Sequence, residues 1–314
     1  MKTIILGDTH FGVKNNSLTW LKYQLKGLDE VIEYVKANPG YTIIHCGDLF
    51  DSRSTFNLYT VARVQDKLNE LSQYVEHLYV IGGNHDYYSP VDSEDNVSMM
   101  TLLHTSDNIT LVTKDELYID DICLVPWFVI HDRERLQSII DHNPKYIYTH
   151  TDINDTTLEV YDLLQSYKGT IISGHIHTPC IRGRRIGVGS LFPINFSDAN
   201  SERGFYVLDD DDLKFYPLVS PIKFYRIYDV LSFDPEQLKF CDQVEVLVDG
   251  ESYTHEDVLR AIGDISTKCS MRVIITYKSL EPIENEGDID IEEIVRTSIP
   301  DYLQSKFEEV LAYE

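Results

Sequence analysis

Apolar and polar positions follow two different periods over the first two-thirds of the chain. Short runs rich in Ile, Val and Tyr predict buried strands, whereas longer stretches with apolar residues three or four positions apart predict amphipathic helices. The alternation of the two predicts a layered α/β fold. Strands are predicted over 3–6, 42–45, 78–81, 122–125, 146–148 and 170–173, and helices over 17–37, 58–74, 97–104 and 132–142.

The pattern changes after Gly189. Three strand-like runs, GFYVLD, LKFYPL and IKFYRIYDV, follow one another, and Pro217 and Pro221 mark a boundary. The segments VEVLV, HEDVLRAIGDI and MRVIITY then predict a strand, a helix and a strand, which is enough for a small α+β capping module. An acidic, amphipathic stretch follows. We therefore predict domains at 1–221 and 222–280 and a helical tail at 281–314.

The composition indicates a globular protein without a membrane span. No run of about 18 apolar residues occurs, and the apolar start MKTIIL is too short for a signal peptide. Five cysteines without C-x-x-C spacing favour a reducing cytoplasm. The formal net charge of -25 repels nucleic acid, so DNA binding would require metal ions, local basic patches or a partner subunit.

Polar side chains with metal-ligand chemistry stand at the ends of five predicted strands. The carboxyl ends of strands in an α/β sheet line a common crevice, so residues far apart in sequence can meet there. Asp8 with His10, and His175 with His177, are two positions apart and point the same way in an extended segment. The five clusters are TIILGDTH, TIIHCGDLFD, LYVIGGNHD, YIYTH and TIISGHIH.

These clusters supply more ligands than one ion needs. Imidazole, carboxylate and amide donors without thiolate suit manganese, iron or zinc. Asp48 is single in its cluster and is the natural bridge between two ions, an arrangement that activates water for phosphoester hydrolysis. The predicted ligands are Asp8, His10, Asp48, Asn84, His150, His175 and His177.

His85 follows a predicted ligand and should therefore point into the substrate space. We predict that it stabilises the transition state or protonates the leaving oxygen, and that Asp86 fixes its orientation. His45 lies inside an apolar strand and is expected to be structural. A single histidine is more often a packed or surface residue than a ligand, and only the ordered set of clusters favours the metal site.

The ordered pattern GD-x-H, GD, GNHD, a lone His and GH-x-H resembles that of the calcineurin-like metallophosphoesterases. Within that superfamily, GDTHFGVK, GDLFDSR, VIGGNHD and GVGSLFPINFSDANSERGFYVLD resemble the SbcD-type nucleases. These include the meiotic recombination eleven protein and phage recombination endonuclease subunits. The resemblance covers residues 1–225, and beyond them it concerns only the layout of a capping module and a tail.

The resemblance implies a two-sheet sandwich flanked by helices, two Mn²⁺ ions, and activity as a double-strand exonuclease and single-strand endonuclease. It also implies a role in DNA recombination, repair and end processing. The cytoplasm indicated by the cysteines would be that of the host cell for a phage protein. Carried over by position, one ion is held by Asp8, His10, Asp48 and His177, and the other by Asp48, Asn84, His150 and His175. His85 becomes the catalytic histidine.

The resemblance further implies a homodimer within a heterotetramer, bound to an SbcC-type coiled-coil ATPase through the tail 281–314. Asp51 departs from the pattern, because many cellular members have a histidine there; it remains able to accept a hydrogen bond from a ligand. The candidate contacts to DNA phosphates are Lys14, Arg53, Arg182, Arg184 and Arg185.

Two alternatives remain open. The same metal centre could serve a small substrate, as in a cyclic-nucleotide phosphodiesterase or a phosphoprotein phosphatase, although such an enzyme needs neither a capping module nor a helical tail. The chain could instead be a non-catalytic subunit that bridges DNA ends, although its complete set of ligands argues against a decayed site.

Overall fold

The computed structural model describes residues 2–55, 57–89, 97–219, 222–239 and 242–277. The strands are β1 (Thr3–Leu6), β2 (Thr42–His45), β3 (Leu78–Ile81), β4 (Ile109–Val112), β5 (Leu117–Ile119), β6 (Ile122–Val125), β7 (Tyr146–His150), β8 (Thr170–Gly174), β9 (Cys180–Arg182), β10 (Arg185–Gly187), β11 (Gly204–Asp209), β12 (Asp212–Pro217), β13 (Phe224–Ile227), β14 (Gln243–Asp249) and β15 (Ser270–Thr276). The helices are α1 (Val13–Asn16), α2 (Leu18–Ala37), α3 (Leu58–Ser72), α4 (Trp127–Ile130), α5 (Arg133–His142), α6 (Tyr161–Ser166) and α7 (Glu256–Ser266).

The described strands form two mixed sheets and one parallel sheet. The first sheet has the order β12-β11-β1-β2-β3-β4, in which β1 to β4 are parallel and β11 runs antiparallel to β1. The second has the order β5-β6-β7-β8-β10-β9, with β6, β7, β8 and β10 parallel. The third contains β13, β14 and β15, all parallel.

The two mixed sheets pack face to face, with helices on their outer sides. Neighbouring residues of one strand enter different cores, because successive side chains of a strand point to opposite faces. Ile5 belongs to the core between the sheets, which includes Tyr148 and Ile172 of the second sheet. Ile4 belongs to the core under α2 and α3, with Leu28 among its members. The predicted α/β sandwich is confirmed.

Helix α2 agrees closely with the helix that the spacing of apolar residues predicts over 17–37. Ser17 precedes the helix and its hydroxyl oxygen accepts from the N–H of Trp20, as a helix-capping serine does. Leu21, Leu28 and Ile32 lie on one face and are almost fully buried. Each such side chain contributes about 1.5–3 kcal/mol through removal from water.

Some predicted elements differ from the structure. The helix predicted over 97–104 is a single 3₁₀ turn, Met99–Leu102. Strands β4, β5, β9 and β10 and helices α1, α4 and α6 were not predicted. The three helices have only four to six residues, which is too short for a helical period to be recognised.

The third sheet and α7 enclose their own apolar core, which includes Val244, Val246 and Ile265. The division of the chain at 221 and 280 stays a prediction, and the predicted tail at 281–314 lies outside the described residues. Among the helices that the structure describes, none is both long and apolar enough to cross a membrane.

Candidate metal centre

The strand ends of both mixed sheets meet at one edge of the sandwich. Asp8 and Asp48 follow β1 and β2, while His150 is the last residue of β7. These strands are parallel to their neighbours within each sheet, so their carboxyl ends lie at the same edge. The structure brings together all the predicted ligands, namely Asp8, His10, Asp48, Asn84, His150, His175 and His177.

One group of donors contains Asp8, His10 and His177. The Nε2 atoms of His10 and His177 lie 3.8 and 3.7 Å from the same carboxylate oxygen of Asp8, Oδ2. One ligand atom from each residue lies within 4.8 Å of the other two. Asp8 and His10 are buried, whereas His177 is partly exposed. The group therefore opens to solvent on the side of His177.

A second group contains Asp48, His150 and His175, with Asn84 between the two histidines. His150 Nε2 lies 3.2 Å from Asp48 Oδ2. Asn84 Oδ1 lies 3.1 Å from both His150 Nε2 and His175 Nδ1. Four donors of mixed imidazole, carboxylate and amide character thus converge on one position.

Asp48 lies between the two groups. Its Oδ2 atom is 3.6 Å from His10 Nε2 in the first group and 3.2 Å from His150 Nε2 in the second. The turn before it requires glycine: Gly47 has φ 98, and a Cβ there would lie 2.4 Å from the ring of His150. This close packing allows a single carboxylate to reach both groups.

The carboxylates shift the pKa values of the histidines. Burial opposes a charge on His10, but Asp51, Asp8 and Asp48 outweigh it and raise its pKa to about 10. Burial likewise opposes a charge on His150, while Asp48 and Asp8 raise its pKa to about 9. His10 and His150 therefore favour a positive charge beside the carboxylates, whereas burial lowers the pKa of His175 to about 4.

The donor set fits divalent cations. Neither ring nitrogen of His10 makes a hydrogen bond within the described residues, although both are buried. Buried polar atoms without partners are costly unless an ion or water satisfies them. Nitrogen and oxygen donors without thiolate suit manganese, iron or zinc.

His85 lies beside the centre, but Asp86 does not orient its ring as predicted. His85 Nδ1 is 2.5 Å from the backbone oxygen of Asp51. The Asp86 carboxylate instead accepts the backbone N–H groups of Gly83, Leu49 and Phe50. The prediction that Asp86 fixes the ring is wrong, because its oxygens are occupied by these loops. Asp86 holds together the turns that carry Asn84 and Asp48.

Asp51 contacts both histidines of this region. Its side-chain Oδ1 lies 3.4 Å from His10 Nδ1, while its backbone oxygen accepts from His85. The expectation that it accepts a hydrogen bond from a ligand stays a prediction, because the ring of His10 makes no hydrogen bond within the described residues. His45, expected to be structural, is buried and its Nε2 lies 3.1 Å from the hydroxyl of Thr9.

Sequence reasoning missed three residues at the centre. Asp198 Oδ1 lies 3.5 Å from His177 Nδ1, and Arg203 binds the same carboxylate oxygen at 3.1 Å. The indole of Trp127 packs near His175 with 5.4 Å between ring centroids. None belongs to a motif with ligand spacing; the only available signal was the position of Asp198 and Arg203 in FSDANSER, shortly after the histidine pair.

The predicted phosphate contacts differ in exposure. Arg185 is 8% exposed and donates to the carbonyls of Leu164, Tyr167 and Gly169, so the prediction that it contacts DNA is wrong. Its position in β10 turns it inward, because alternate residues of a strand face opposite sides. Arg182 and Arg184 are exposed.

The other two cations lie nearer the loops of the centre. Arg53 Nε donates to the backbone oxygen of Asn84 at 3.0 Å. Lys14 is exposed, with its ammonium 5.6 Å from the ring centroid of Trp20 and 5.8 Å from that of Phe224.

Comparison with known proteins places this geometry in context. A family model described as calcineurin-like phosphoesterase matches residues 1–179. Exonuclease subunit 1 of Enterobacteria phage T4 is 29% identical over 225 residues, which cover 67% of this chain and 65% of that protein. The chain thus matches less than two-thirds of the relative's length. The crystal structure of Pseudomonas putida nuclease MPE is 16% identical with a TM-score of 0.33, over 68% of this chain and 87% of that one.

Proposed function

We propose that this chain, which belongs to the calcineurin-like phosphoesterase family, is a manganese-dependent DNA nuclease subunit. The observation that carries the proposal is the pair of donor groups joined through Asp48 at one edge of the sandwich. A relative named exonuclease subunit 1 supports a nucleic-acid substrate. The proposed reactions are double-strand exonuclease and single-strand endonuclease cleavage in DNA recombination, repair and end processing.

In this proposal each donor group holds one ion. Asp8, His10 and His177 with Asp48 hold the first, and Asp48 with Asn84, His150 and His175 holds the second. When bound, two such ions lower the pKa of water and neutralise charge that builds on the phosphoryl oxygens. Asp48 keeps its orientation through its Oδ1 atom, which accepts the N–H of His85 at 2.8 Å.

His85 is the proposed catalytic side chain. Its Nδ1 donates to the backbone oxygen of Asp51, and Nε2 is left to face the substrate. In the imidazolium form, which carries a proton on Nε2 as well, the ring stabilises the transition state or gives that proton to the leaving oxygen. The partial exposure of His85, His175 and His177 leaves one side of the centre accessible to a phosphodiester.

DNA contacts and partners complete the proposal. Arg182 and Arg184 are exposed shortly after the histidine pair and supply positive charge for phosphates in an acidic protein. Lys14 lies in α1, which follows β1, and Arg53 lies in the loop after β2. We further propose an SbcC-type ATPase partner, bound through residues 281–314, in a heterotetramer with two copies of this chain; deletion of 288–314 should then abolish association without removing metal binding.

The decisive experiment incubates the full chain, with and without a candidate ATPase, with labelled linear duplex and single-stranded circular DNA in Mn²⁺. We expect cleavage that is lost in His85→Ala and in Asp48→Ala and kept in the control His142→Ala, whose side chain is exposed at the end of α5. Circular dichroism checks the fold of each variant. Rapid turnover of a small phosphodiester without DNA cleavage would favour the small-substrate alternative, and DNA bridging without any hydrolysis would favour a non-catalytic subunit.

A further inference from the structure

A carboxylate outside the predicted ligand set faces one histidine of the centre. Asp198 Oδ1 lies 3.5 Å from His177 Nδ1, while the other ring nitrogen, Nε2, faces Asp8. Asp198 is 1% exposed and ends a short 3₁₀ turn, Phe196–Asp198. The ring of His177 is therefore contacted on one side by Asp8 and on the other by Asp198.

The orientation of the Asp198 carboxylate is fixed by other contacts. Its Oδ2 atom accepts the backbone N–H groups of Ile194 and Asn195 at 2.6 and 3.2 Å. Its Oδ1 atom binds Arg203 at 3.1 Å. The Ser197 hydroxyl and His177 Nδ1 each lie 3.5 Å from the same Oδ1 atom. Oδ2 thus binds the backbone of the turn, whereas Oδ1 faces side chains, including the ring of His177.

Arg203 fixes the main chain of the same histidine. Its Nη1 donates to the backbone oxygen of His177, and the N–H of Ser190 donates to that oxygen at 2.9 Å. Arg203 is 3% exposed and joins the carboxylate that faces the ring to the backbone that carries it. Both the position and the rotation of His177 are thus set by buried contacts.

We infer that Asp198 is a positioning residue for His177: it accepts the Nδ1 proton and so presents Nε2 to the ion shared with Asp8 and His10. This inference rests on the metal centre proposed above. Partners that bind the second nitrogen of a metal-bound histidine fix its tautomer and orientation, and their loss typically weakens metal binding by roughly 10–100-fold. Asp198 contacts no residue of the second donor group in the described structure, so the effect should be confined to one of the two ions.

The test measures Mn²⁺ binding to the full chain by electron paramagnetic resonance and calorimetry. We expect two positions in the wild type and, in Asp198→Ala, a roughly 10–100-fold weaker affinity at one of them. Asp198→Asn, which keeps the shape, should give a smaller loss and serves if the alanine variant does not fold. Glu245→Gln is the matched control, because Glu245 is also buried and paired with arginines but lies in the third sheet.

A double-mutant cycle with His177→Ala separates positioning from a general effect on the fold. If Asp198 acts through His177, Asp198→Ala should cause no further loss of Mn²⁺ affinity once His177 is alanine. An equal loss in both backgrounds, or wild-type affinity in Asp198→Ala and Asp198→Asn, would overturn the inference. Because the readout is metal binding, a wild type that binds two ions but cleaves no DNA would contradict the proposed nuclease and leave this inference standing.

Discussion

His85 Nδ1 donates a hydrogen bond to the backbone oxygen of Asp51, 2.5 Å away, and not to the carboxylate of the adjacent Asp86. Two neighbouring residues of one motif therefore have separate tasks. The ring of His85 lies beside the centre, within 4.9 Å of the ring of His10 between centroids. The side chain of Asp86 is fully buried and accepts hydrogen bonds from three backbone N–H groups. Substitutions at the two positions should consequently affect different properties.

His85→Ala should abolish hydrolysis without emptying the metal centre. The backbone N–H of His85 that binds Asp48 remains in the variant, whereas the ring that stabilises or protonates the leaving oxygen is lost. We expect a rate about 10²–10⁴-fold lower, measured on labelled DNA, with both Mn²⁺ equivalents retained in a metal analysis. Loss of an ion in this variant would show that the ring is a ligand.

Asp86→Ala should instead destabilise the fold. It leaves three backbone N–H groups without their acceptor, each at a cost of about 1–3 kcal/mol when buried. We expect the free energy of unfolding of the metal-free chain to fall by about 3 kcal/mol or more in urea. Asp141→Ala, on the exposed side of α5, is the control and should change it by less than about 0.5 kcal/mol. Equal stability of the two variants would contradict the assigned role.

The sequence predicted the convergence of the ligands because it depends on local rules. Apolar runs predict strands, and polar residues after parallel strands meet at one edge. The contacts made by Asp198 and Asp86 depend instead on loops that fold back from other parts of the chain. The burial of Arg185 likewise could not be predicted from its charge. It depends on the packing of β10 against β8 and on the contact of the side chain with α6.

Arg182 and Arg184 should contribute to DNA binding, and Arg185 should not. Replacing both exposed arginines by alanine should weaken binding and reduce the slope of log affinity against log salt by about 1 for each DNA phosphate that the variant no longer neutralises. Arg185→Ala should leave that slope unchanged and lower stability, because it removes the donor to three buried carbonyls. Fluorescence anisotropy at several salt concentrations measures the slopes. Unchanged slopes in the double variant would place the DNA elsewhere.

His175→Ala and His177→Ala should each weaken a different metal position. His177 belongs with Asp8 and His10, whereas His175 belongs with Asp48 and His150. Titration with Mn²⁺ should show one position retained in each single variant and both weakened in the double variant, while either single change ends hydrolysis. If both variants lose the same position, the assignment of the two histidines to separate ions is wrong.

Metal binding at pH 7.5 should release protons from the centre. In the metal-free chain the pKa of His10 is raised to about 10 and that of His150 to about 9, since the attraction of nearby carboxylates outweighs burial. Both rings therefore carry a second proton, and with it a positive charge, at pH 7.5. A cation that binds a ring nitrogen must displace that proton. We expect about two protons released per chain, measured by calorimetry in two buffers of different ionisation enthalpy.

The same shifts set the pH dependence of the metal-free chain. A histidine whose pKa is raised on folding stabilises the native state fully below its unfolded value of about 6.5, and this contribution is lost as the pH rises through its folded value. For His10 and His150 the loss falls between about pH 6.5 and 10. Thermal unfolding with a chelator should therefore show a melting temperature that declines across this window. The Mn²⁺-loaded chain should decline less, because its ions replace the protons as the positive charge beside Asp8 and Asp48. Equal declines with and without Mn²⁺ would show that these histidines do not carry the positive charge of the metal-free centre.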